Sequence, residues 1–331
     1  MIRYWNEKQV FVSGAGGFIG SHLVEELARR GARVRAFLHY NSRNDKGLLN
    51  YIEKGLSDRV EPIFGDLRDL SSVTKAMKGC SHVFHLGAHI GIPYSYANPA
   101  DVVATNVNGT MNTLLAARDL KVERVVHTST SEVYGTAIYA PIDEKHPLQG
   151  QSPYSASKIG ADKIAESFYR SFNLPVVTIR PFNTFGPRQS ARAVIPTIIS
   201  QVIKSEQVSI GNLDSKRDFT FVSDTVEGFL KCGQTANIEG ETINLGTGVE
   251  VTIGELLRLI IEISGKEVKI VEDHSRYRPE KSEVQRLLSE NKRAREIMGW
   301  EPQITLSDGL KVTYDWVEQE ISNFDTEHYV I

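Results

Sequence analysis

Close to its start the chain reads Gln9-Val10-Phe11-Val12-Ser13-Gly14-Ala15-Gly16-Gly17-Phe18-Ile19-Gly20. A β-branched and aromatic run breaks into glycines, and an amphipathic helical pattern over Ser21 to Arg30 follows. Glycine allows the backbone to turn tightly, to approach a pyrophosphate and to pack the helix on the strand, while the helix N-terminus faces negative charge. This context predicts a dinucleotide site rather than a purely structural turn. Its expected contacts are Gly14, Gly16, Gly17, Phe18, Ile19 and Gly20.

The same alternation of strand and helix continues through the first half of the chain. Further strand patterns are Val34 to Leu38, Val60 to Phe64, a run from His82 to Ala88, Val122 to Thr128 and Pro175 to Arg180. Between them lie helical patterns, among them Pro99 to Asp119 and Pro153 to Asn173. Alternation with short connections predicts an α/β fold in which helices cover both faces of a doubly wound parallel sheet.

The pattern changes after Pro181, where a turn-rich segment leaves the predicted sheet. We expect residues 1–180, with about 219–247, to form the dinucleotide-binding domain. Residues 181–218 and 248–331 would form a smaller α/β domain that binds substrate. Within the latter, the charged run from Asp214 to Phe219 is interpreted as an exposed turn.

Composition excludes several classes of partner. With 331 residues and a net charge of −3, the chain has no electrostatic reason to bind nucleic acid or an acidic membrane. Cys80 and Cys232 are its only cysteines, and their spacing suggests neither a metal site nor a disulfide framework. The segment from Met1 to Lys8 lacks the apolar core of a signal peptide, and no later run approaches membrane-spanning length. A soluble cytoplasmic protein is expected.

Two further loops concern the cofactor. A fold that prefers NAD usually has an acidic residue after the second strand, but here the strand is followed by His39-Tyr40-Asn41-Ser42-Arg43. His39, Ser42 and Arg43 suit a 2′-phosphate and therefore favour NADP slightly, although NAD held by backbone groups stays open. Asp66, before Leu67, is placed to accept a hydrogen bond from adenine. Leu86 begins a run of small residues suited to a flat ring, and the nearby His85 and His89 do not make a metal site.

The predicted catalytic edge is Thr128-Ser129-Thr130-Ser131-Glu132-Val133-Tyr134-Gly135, which directly follows the apolar fifth strand. Open α/β folds place their chemistry at this carboxyl edge. Downstream, Tyr154 and Lys158 are one helical turn apart, which brings a phenol and an amine to one face. A strand end with an ordinary helix cap is the alternative for Ser129 to Glu132.

Tyr154-x-x-x-Lys158, together with Gly14-x-x-Gly17-x-x-Gly20 and Asp66, resembles the extended short-chain dehydrogenase/reductase family of nucleotide-sugar enzymes. The resemblance covers nearly the whole chain and implies a Rossmann sheet. It also implies catalysis by Thr130, Tyr154 and Lys158, with Tyr154 and Lys158 contacting the cofactor. By the same resemblance, Asn183, Arg217 and Arg278 bind the nucleotide sugar. The helices Pro99 to Asp119 and Pro153 to Asn173 resemble those that pair in family homodimers, although their apolar faces are equally compatible with an internal position.

Ser131-Glu132 indicates the subclass. Family epimerases commonly have small or apolar residues there, whereas 4,6-dehydratases carry Asp-Glu or Ser-Glu, and UDP-glucuronate decarboxylases also show Ser-Glu-Val-Tyr-Gly. Two segments, His39 to Ser42 and Pro141 to Leu148, look like the dehydratases of the legionaminic-acid pathway of surface polysaccharide biosynthesis. Those enzymes act on a nucleotide-linked N-acetylglucosamine, whose base, UDP or GDP, stays open here.

This resemblance implies a reaction with no net redox change. Tyr154, activated by Lys158, would take the C4 hydroxyl proton as the sugar is oxidised by bound NAD or NADP, and Thr130 would orient that hydroxyl. Glu132 would then remove the C5 proton and assist loss of the C6 hydroxyl, with Ser131 relaying or orienting. The cofactor would be regenerated and stay tightly bound. The alternatives are a decarboxylase, a C4-epimerase and a non-catalytic dinucleotide sensor.

Overall fold

A computed structural model describes residues 2–277 and 279–324 of the chain. The strands are β1 Gln9–Ser13, β2 Arg33–His39, β3 Val60–Gly65, β4 His82–His85, β5 Arg124–Thr128, β6 Val176–Pro181, β7 Asn183–Phe185, β8 Gln207–Ile210, β9 Lys216–Phe221, β10 Thr242–Leu245, β11 Glu250–Thr252 and β12 Lys269–Glu272. The α-helices are α1 Ile2–Trp5, α2 Phe18–Arg29, α3 Leu70–Met77, α4 Ile92–Ala97, α5 Pro99–Val103, α6 Gly109–Asp119, α7 Pro153–Phe172, α8 Val194–Lys204, α9 Val222–Gln234, α10 Ile253–Ser264, α11 Lys292–Met298 and α12 Leu306–Gln319.

Seven of the described strands form one parallel sheet in the order β3-β2-β1-β4-β5-β6-β10. The predicted doubly wound parallel fold is therefore confirmed. The order of the strands reverses between β1 and β4, where connections leave in opposite directions. In such sheets the carboxyl ends separate at this switch point and leave a crevice for ligand.

The sheet is buried on both faces, which explains its apolar strands. In β1, Val10 and Val12 belong to one hydrophobic cluster, whereas Phe11 between them belongs to another on the opposite face. Helices α2 and α9 pack together on the first face, and α3, α6 and α7 follow one another on the second. Because successive strand side chains point to opposite faces, only a nearly continuous apolar run satisfies both layers.

A smaller α/β part contains a three-stranded sheet, β11-β9-β7, and the parallel pair β8 and β12. Strand β10, far along the chain, returns to the edge of the large sheet beside β6. The division into two domains at the residues given above stays a prediction.

The interpretation of Asp214 to Phe219 as an exposed turn is wrong. Most of this segment lies in β9, the central strand of the smaller sheet. Arg217 and Asp218 are 7% and 0% exposed. The prediction failed because charged side chains can be buried when they are paired and hydrogen-bonded. Here the partners lie far away in sequence, so no local pattern indicates them. Asp218 accepts hydrogen bonds from the backbone of Thr247, Gly248 and Ser289.

The helix predicted over Pro99 to Asp119 is interrupted. A π-helical turn, Ala104–Asn108, separates α5 from α6. Such turns are frequent at functional sites, and this one presents Asn106 towards the loop after β4. Among the described residues, every helix is too short or too polar to cross a membrane.

Candidate active site

The glycine turn leaves no room for side chains where it folds on itself. Gly14 has a φ of +69°, and a Cβ on it would lie 2.8 Å from the backbone nitrogen of Gly87. A Cβ on Gly20 would lie 2.1 Å from the carbonyl oxygen of Gly14, and one on Gly16 would lie 2.9 Å from the Lys46 carbonyl oxygen. Glycine is therefore required here to bring β1, the turn and α2 together.

Helix α2 opens directly from this turn. Its N-cap is Gly17, no side chain caps it, and its first turn, which contains Phe18 and Ile19, holds no acidic residue. The first backbone N–H groups of a helix have no partner within the helix and carry partial positive charge. A cradle shaped by glycine at an uncapped helix N-terminus fits the pyrophosphate of a dinucleotide.

Two glycine variants separate the role of the turn in dinucleotide binding from its role in packing β1 against α2. Gly17 has an ordinary φ of −84°, and its Cβ would approach the Gly14 carbonyl oxygen only to 3.2 Å. We expect Gly17→Ala to change the free energy of unfolding of the cofactor-free protein by less than about 1 kcal/mol and to weaken dinucleotide binding about tenfold or more. Gly20→Ala should instead lose about 1–3 kcal/mol of stability through overpacking. Urea unfolding and calorimetric titration would measure both, and equal stability losses in the two variants would contradict this division.

The predicted adenine acceptor, Asp66, follows β3 at the carboxyl edge. Its carboxylate accepts a 2.6 Å hydrogen bond from Nη2 of Arg68 and one from the Arg68 backbone. These contacts lower the pKa of Asp66, so the group is an acceptor at neutral pH. Arg68 also donates to Asp101 at 3.1 Å. Asp66 is thus held as a fixed carboxylate rather than a mobile one.

The remaining predicted cofactor contacts lie around the same crevice. Leu67 packs against Gly87, where a Cβ would come within 2.6 Å of its side chain, and Leu86 is partly buried against the core. His39 ends β2, and Ser42 and Arg43 are exposed in the loop that follows. His39, Ser42 and Arg43 are therefore all exposed to solvent.

His85 belongs to the packing beneath the turn. It is buried, its Nδ1 lies 2.8 Å from Ser13 Oγ and its Nε2 lies 3.0 Å from Thr110 Oγ1. Burial lowers its pKa well below the ordinary value, so the ring is neutral. Ser13 Oγ in turn accepts a hydrogen bond from the backbone of Gly87. No group of three or more candidate metal ligands occurs within the described part of the chain.

Thr130, Tyr154 and Lys158 meet at the carboxyl end of β5. The Thr130 hydroxyl lies near the Tyr154 phenol and acts to lower its pKa. Lys158 Nζ donates to the carbonyl oxygen of Thr128 at 2.6 Å. Helix α7, which carries Tyr154 and Lys158, starts at a capping box of Ser152 and Ser155, and this fixes where its first turn lies.

Burial dominates the acid–base properties of this group. It raises the pKa of the Tyr154 phenol well above the ordinary value, and the nearby Glu132 carboxylate raises it further. Burial also lowers the pKa of Lys158 to about 8. The phenol is therefore protonated in the protein alone. A cationic group beside the phenol would be needed to favour its ionised form.

The buried amine predicts a trade between stability and activity. Because the pKa of Lys158 is about 8 when folded and 10.5 ordinarily, the unfolded state binds more protons between these values and stability rises with pH there. The difference corresponds to about 3 kcal/mol. We expect the Lys158→Met variant to be inactive. Without cofactor it should nevertheless be about 2 kcal/mol more stable than wild type at neutral pH, a figure that already allows for the lost hydrogen bond to Thr128.

That advantage should shrink as the pH rises from 8 to 10.5, because the amine is then neutral in both states. Urea unfolding of both proteins across this range would measure it. A variant that is less stable than wild type at every pH would contradict the assignment.

Ser131 and Glu132 lie on a short 3₁₀ turn, Ser131–Tyr134, directly after Thr130. The Thr130 hydroxyl caps the turn by accepting from the Glu132 backbone N–H at 3.2 Å. Ser131 is buried and Glu132 is partly buried. The alternative of a simple cap is therefore correct for Thr130 as well, since one hydroxyl caps the turn and contacts Tyr154.

The sequence prediction missed Asp162, one helical turn after Lys158. This buried carboxylate accepts hydrogen bonds from Ser129 Oγ at 2.7 Å and from Arg180 Nη2 at 2.9 Å, and lies 3.1 Å from His127 Nε2. These partners outweigh its burial and lower its pKa to about 2. The spacing from Lys158 was the available signal. Asp162 ties α7 to the ends of β5 and β6.

Arg180 continues this contact to Tyr134, also missed. Its Nη1 donates to the Tyr134 hydroxyl at 2.8 Å, and that hydroxyl donates to Asn244 Oδ1 at 2.8 Å. Asn244 lies on β10 and also donates to the carbonyl of Ile142. We call Asp162, Arg180, Tyr134 and Asn244 the polar bridge. It spans elements that are remote in sequence.

The predicted substrate residues lie beyond β6. Asn183 starts β7, and its Oδ1 is buried without a hydrogen-bond partner among the described residues, as expected for a group that awaits ligand. The Arg217 guanidinium lies 3.6 Å from the Glu283 carboxylate, and both side chains are largely buried. Arg278 lies outside the described residues.

Comparison with known proteins identifies the family. The family model described as GDP-mannose 4,6 dehydratase matches residues 11–313. The chain belongs to this family. UDP-glucose 4-epimerase of Mycolicibacterium smegmatis is 32% identical over 316 residues, covering 93% of this chain and 98% of that protein. The predicted membership of the extended short-chain dehydrogenase/reductases is thereby confirmed.

Solved structures agree with this assignment. Epimerase Mth375 of Methanothermobacter thermautotrophicus has a TM-score of 0.88 at 29% identity, covering 97% of this chain and 95% of that one. DesIV, a dTDP-glucose 4,6-dehydratase of Streptomyces venezuelae solved with NAD bound, has a TM-score of 0.83 at 27% identity, covering 96% and 99%. This family member thus belongs to the superfamily of nucleotide-sugar dehydratases, epimerases and decarboxylases.

Proposed function

We propose that the protein is a 4,6-dehydratase that converts a UDP- or GDP-linked N-acetylglucosamine to its 4-keto-6-deoxy derivative. One observation carries this proposal: the turn after Thr130 holds a carboxylate, Glu132, close enough to Tyr154 to raise the phenol's pKa. An epimerase needs only an alcohol to be oxidised and reduced again. Elimination of water also needs a base beside the ring carbon next to the new ketone, and in our proposal Glu132 is that base.

The proposed cofactor is NAD, as bound in DesIV. When bound, the nicotinamide accepts and later returns the electrons of the sugar alcohol, so that none are consumed. Its pyrophosphate would lie on the glycine cradle at α2, with adenine at Asp66. The preference for NADP depends on His39, Ser42 and Arg43, which are exposed to solvent, and stays a prediction.

The first half of the reaction requires a base at the C4 hydroxyl. In our proposal Tyr154 takes this proton, Thr130, whose hydroxyl lies near the phenol, orients the sugar hydroxyl, and Lys158 supplies positive charge nearby. The buried phenol is poorly ionised by itself. Activation on ligand binding would prevent Tyr154 from acting on anything but bound sugar.

The second half requires removal of the C5 proton and loss of the C6 hydroxyl. Glu132 would take the C5 proton and give it to the C6 hydroxyl, which would leave as water. C6 would then receive the hydride taken from C4, and C5 would receive a proton from solvent, which completes the 4-keto-6-deoxy sugar. Ser131, which is buried beside it, is too weak an acid to replace a carboxyl group and would orient that hydroxyl. Asn183 and Arg217 would hold the nucleotide part, and the predicted role of Arg278 stays a prediction.

The rivals are decarboxylation of a nucleotide-linked uronate, C4-epimerisation and dinucleotide sensing without turnover. A Ser-Glu pair suits a decarboxylase as well as a dehydratase. Matching of the GDP-mannose 4,6 dehydratase family over residues 11–313 supports our order of preference. The intact set of Thr130, Tyr154 and Lys158 argues against a sensor, which has no use for all three.

Product mass distinguishes these activities. Purified protein would be incubated in D₂O with UDP- and GDP-sugars, including N-acetylglucosamine and glucuronate derivatives. We expect loss of water and gain of one solvent deuterium from an N-acetylglucosamine nucleotide. Loss of CO₂ from a uronate would favour the decarboxylase. An unchanged mass throughout would favour the epimerase or the sensor, and chromatographic separation of the C4 epimers would distinguish these two.

We also propose a homodimer that pairs α5, α6 and α7 with those of a second copy. Val103, Met111 and Phe172, on these helices, are 44%, 37% and 49% exposed, and exposed apolar side chains on neighbouring helices favour association. Sedimentation equilibrium would test the state. Action in the cytoplasm, in a pathway of surface polysaccharide biosynthesis such as that of legionaminic acid, stays a prediction.

A further inference from the structure

We infer that Tyr134 is a positioning residue: through the polar bridge it holds the turn that carries Glu132 in register with the helix that carries Tyr154 and Lys158. The inference rests on the proposed dehydratase reaction. That reaction has two proton-transfer stages that use different segments of the chain. The polar bridge is the hydrogen-bonded path that joins these segments.

One end of the bridge lies in the turn itself. Tyr134 is two residues after Glu132 and 0% exposed. Its hydroxyl accepts from Arg180 Nη1 and donates to Asn244 Oδ1, both at 2.8 Å. The Arg180 guanidinium also lies over the Tyr134 ring, 4.9 Å from its centre. Tyr134 therefore fixes the last residue of a turn that is only four residues long.

The other end lies in helix α7. Arg180 donates from Nε and Nη2 to Asp162 Oδ2 at 3.2 and 2.9 Å. Asp162 is one helical turn after Lys158 and is 5% exposed. Arg180 can bind Asp162 and Tyr134 at once because its planar guanidinium presents several donors in fixed directions. One buried side chain thus sets the spacing between the turn and the helix.

The two stages should depend on Tyr134 unequally. Thr130 caps the turn at the end next to β5, whereas Tyr134 is the last residue of the turn, and Lys158 is anchored separately to the carbonyl of Thr128 at 2.6 Å. The oxidation stage therefore keeps its supports when the Tyr134 hydroxyl is removed. Glu132 lies inside the turn. A general base must lie within hydrogen-bond reach, about 2.6–3.2 Å between heavy atoms, of the group whose proton it removes. A small shift of the turn would then slow elimination alone.

Tyr134→Phe tests this inference in the holoenzyme. The substitution keeps the ring and deletes the hydroxyl, leaving Arg180 Nη1 and Asn244 Oδ1 without this partner. With the nucleotide sugar that wild type dehydrates, we expect overall turnover to fall about tenfold, the range set by an unsatisfied buried polar group. Single-turnover oxidation of the sugar should change less than about twofold. Reduced nicotinamide should therefore accumulate during steady-state turnover, as measured by its absorbance.

Tyr139→Phe provides a matched control. Its hydroxyl donates to Asp143 at 2.7 Å in the neighbouring loop, but the side chain is 44% exposed and lies outside the polar bridge. This variant should keep wild-type rates and show no accumulation. Arg180→Lys is a second variant that keeps a positive charge beside Asp162 but cannot bind both partners, and it should repeat the Tyr134→Phe signature. Thermal unfolding would establish that each variant is folded.

The outcomes separate the inference from the proposed function. If wild type releases water and Tyr134→Phe slows both stages equally, or neither, the positioning role is wrong while the dehydratase stands. If Tyr134→Phe does not fold, the rates of the two stages in Arg180→Lys decide instead. If neither variant folds, Tyr134 and Arg180 have a structural role only, and the inference is wrong. A wild-type protein that releases no water would overturn the function and this inference together.

Discussion

Tyr154→Phe should stop the reaction at its first step, with a fall in turnover of more than about 10⁴-fold, the upper end of what general acid–base catalysis usually contributes. In the proposed reaction the phenol removes the C4 hydroxyl proton, and every later step depends on this one. The phenol is buried beside the Thr130 hydroxyl, away from solvent. The ring itself is kept, so the packing around it should be unchanged.

Product analysis and single-turnover oxidation would both be measured. We expect no reduced nicotinamide and no released water, with dinucleotide affinity within about threefold of wild type, a difference below 1 kcal/mol. Tyr169→Phe, in the same helix α7, is the control and should retain activity. If Tyr154→Phe still oxidised the sugar at a substantial fraction of the wild-type rate, another residue would have to be the base.

Glu132→Gln should separate the two stages completely. The amide has nearly the same shape as the carboxylate but cannot accept the C5 proton, so overall dehydration should fall by about 10²–10⁴-fold. Oxidation at C4 should proceed, since it depends on Tyr154, Thr130 and Lys158. It should even become easier at lower pH, because the Glu132 charge raises the pKa of the Tyr154 phenol and its removal lowers that pKa.

This variant would be incubated with the nucleotide sugar in D₂O, and reduced nicotinamide and deuterium at C5 would be followed together. We expect reduced cofactor without deuterium incorporation or loss of water. Glu166→Gln is the matched control, since that carboxylate, on the same helix α7, forms surface ion pairs with Lys163 and Arg170. Unchanged dehydration by Glu132→Gln would remove Glu132 from the mechanism, and another residue would have to be the second base.

These two variants and Tyr134→Phe form a graded series. Tyr154→Phe removes the proposed base of the first stage, and Glu132→Gln removes the proposed base of the second. Tyr134→Phe keeps both side chains but removes a hydrogen bond that holds the turn carrying Glu132. Only the last should give partial elimination with accumulation of reduced cofactor. The series therefore distinguishes chemistry from positioning at the same site.

Local patterns predicted the framework of this protein. The strand β1, the glycine turn and α2 are contiguous in sequence, and glycine is required because of contacts made within and next to the turn. The parallel sheet follows from the alternation of apolar strands with helices, each a property of a short window. Tyr154 and Lys158 are four residues apart on one helix, so the sequence alone brings them to one face.

Contacts between remote residues limited the prediction. Arg217 and Asp218 form part of a charged run that would be solvated if local sequence decided, but β9 is buried and their partners, among them Glu283 and Ser289, come from the C-terminal part of the chain. No local sequence pattern predicts the π-helical turn Ala104–Asn108 either. Its residue Asn106 donates to Ser157 Oγ on α7 at 2.9 Å, a contact between residues that are remote in sequence. Each depends on what packs beside it.

The sequence by itself thus determined the doubly wound sheet, the glycine cradle and the residues Thr130, Glu132, Tyr154 and Lys158, since periodicity, turn chemistry and helical spacing act over a few residues. Only the tertiary structure decided how they are held. Arg180 reaches Tyr134, 46 residues earlier, and Tyr134 reaches Asn244, 110 residues later. A buried hydrogen bond specifies no pattern along the chain, because its two partners become neighbours only when β5, β6, β10 and α7 have packed together.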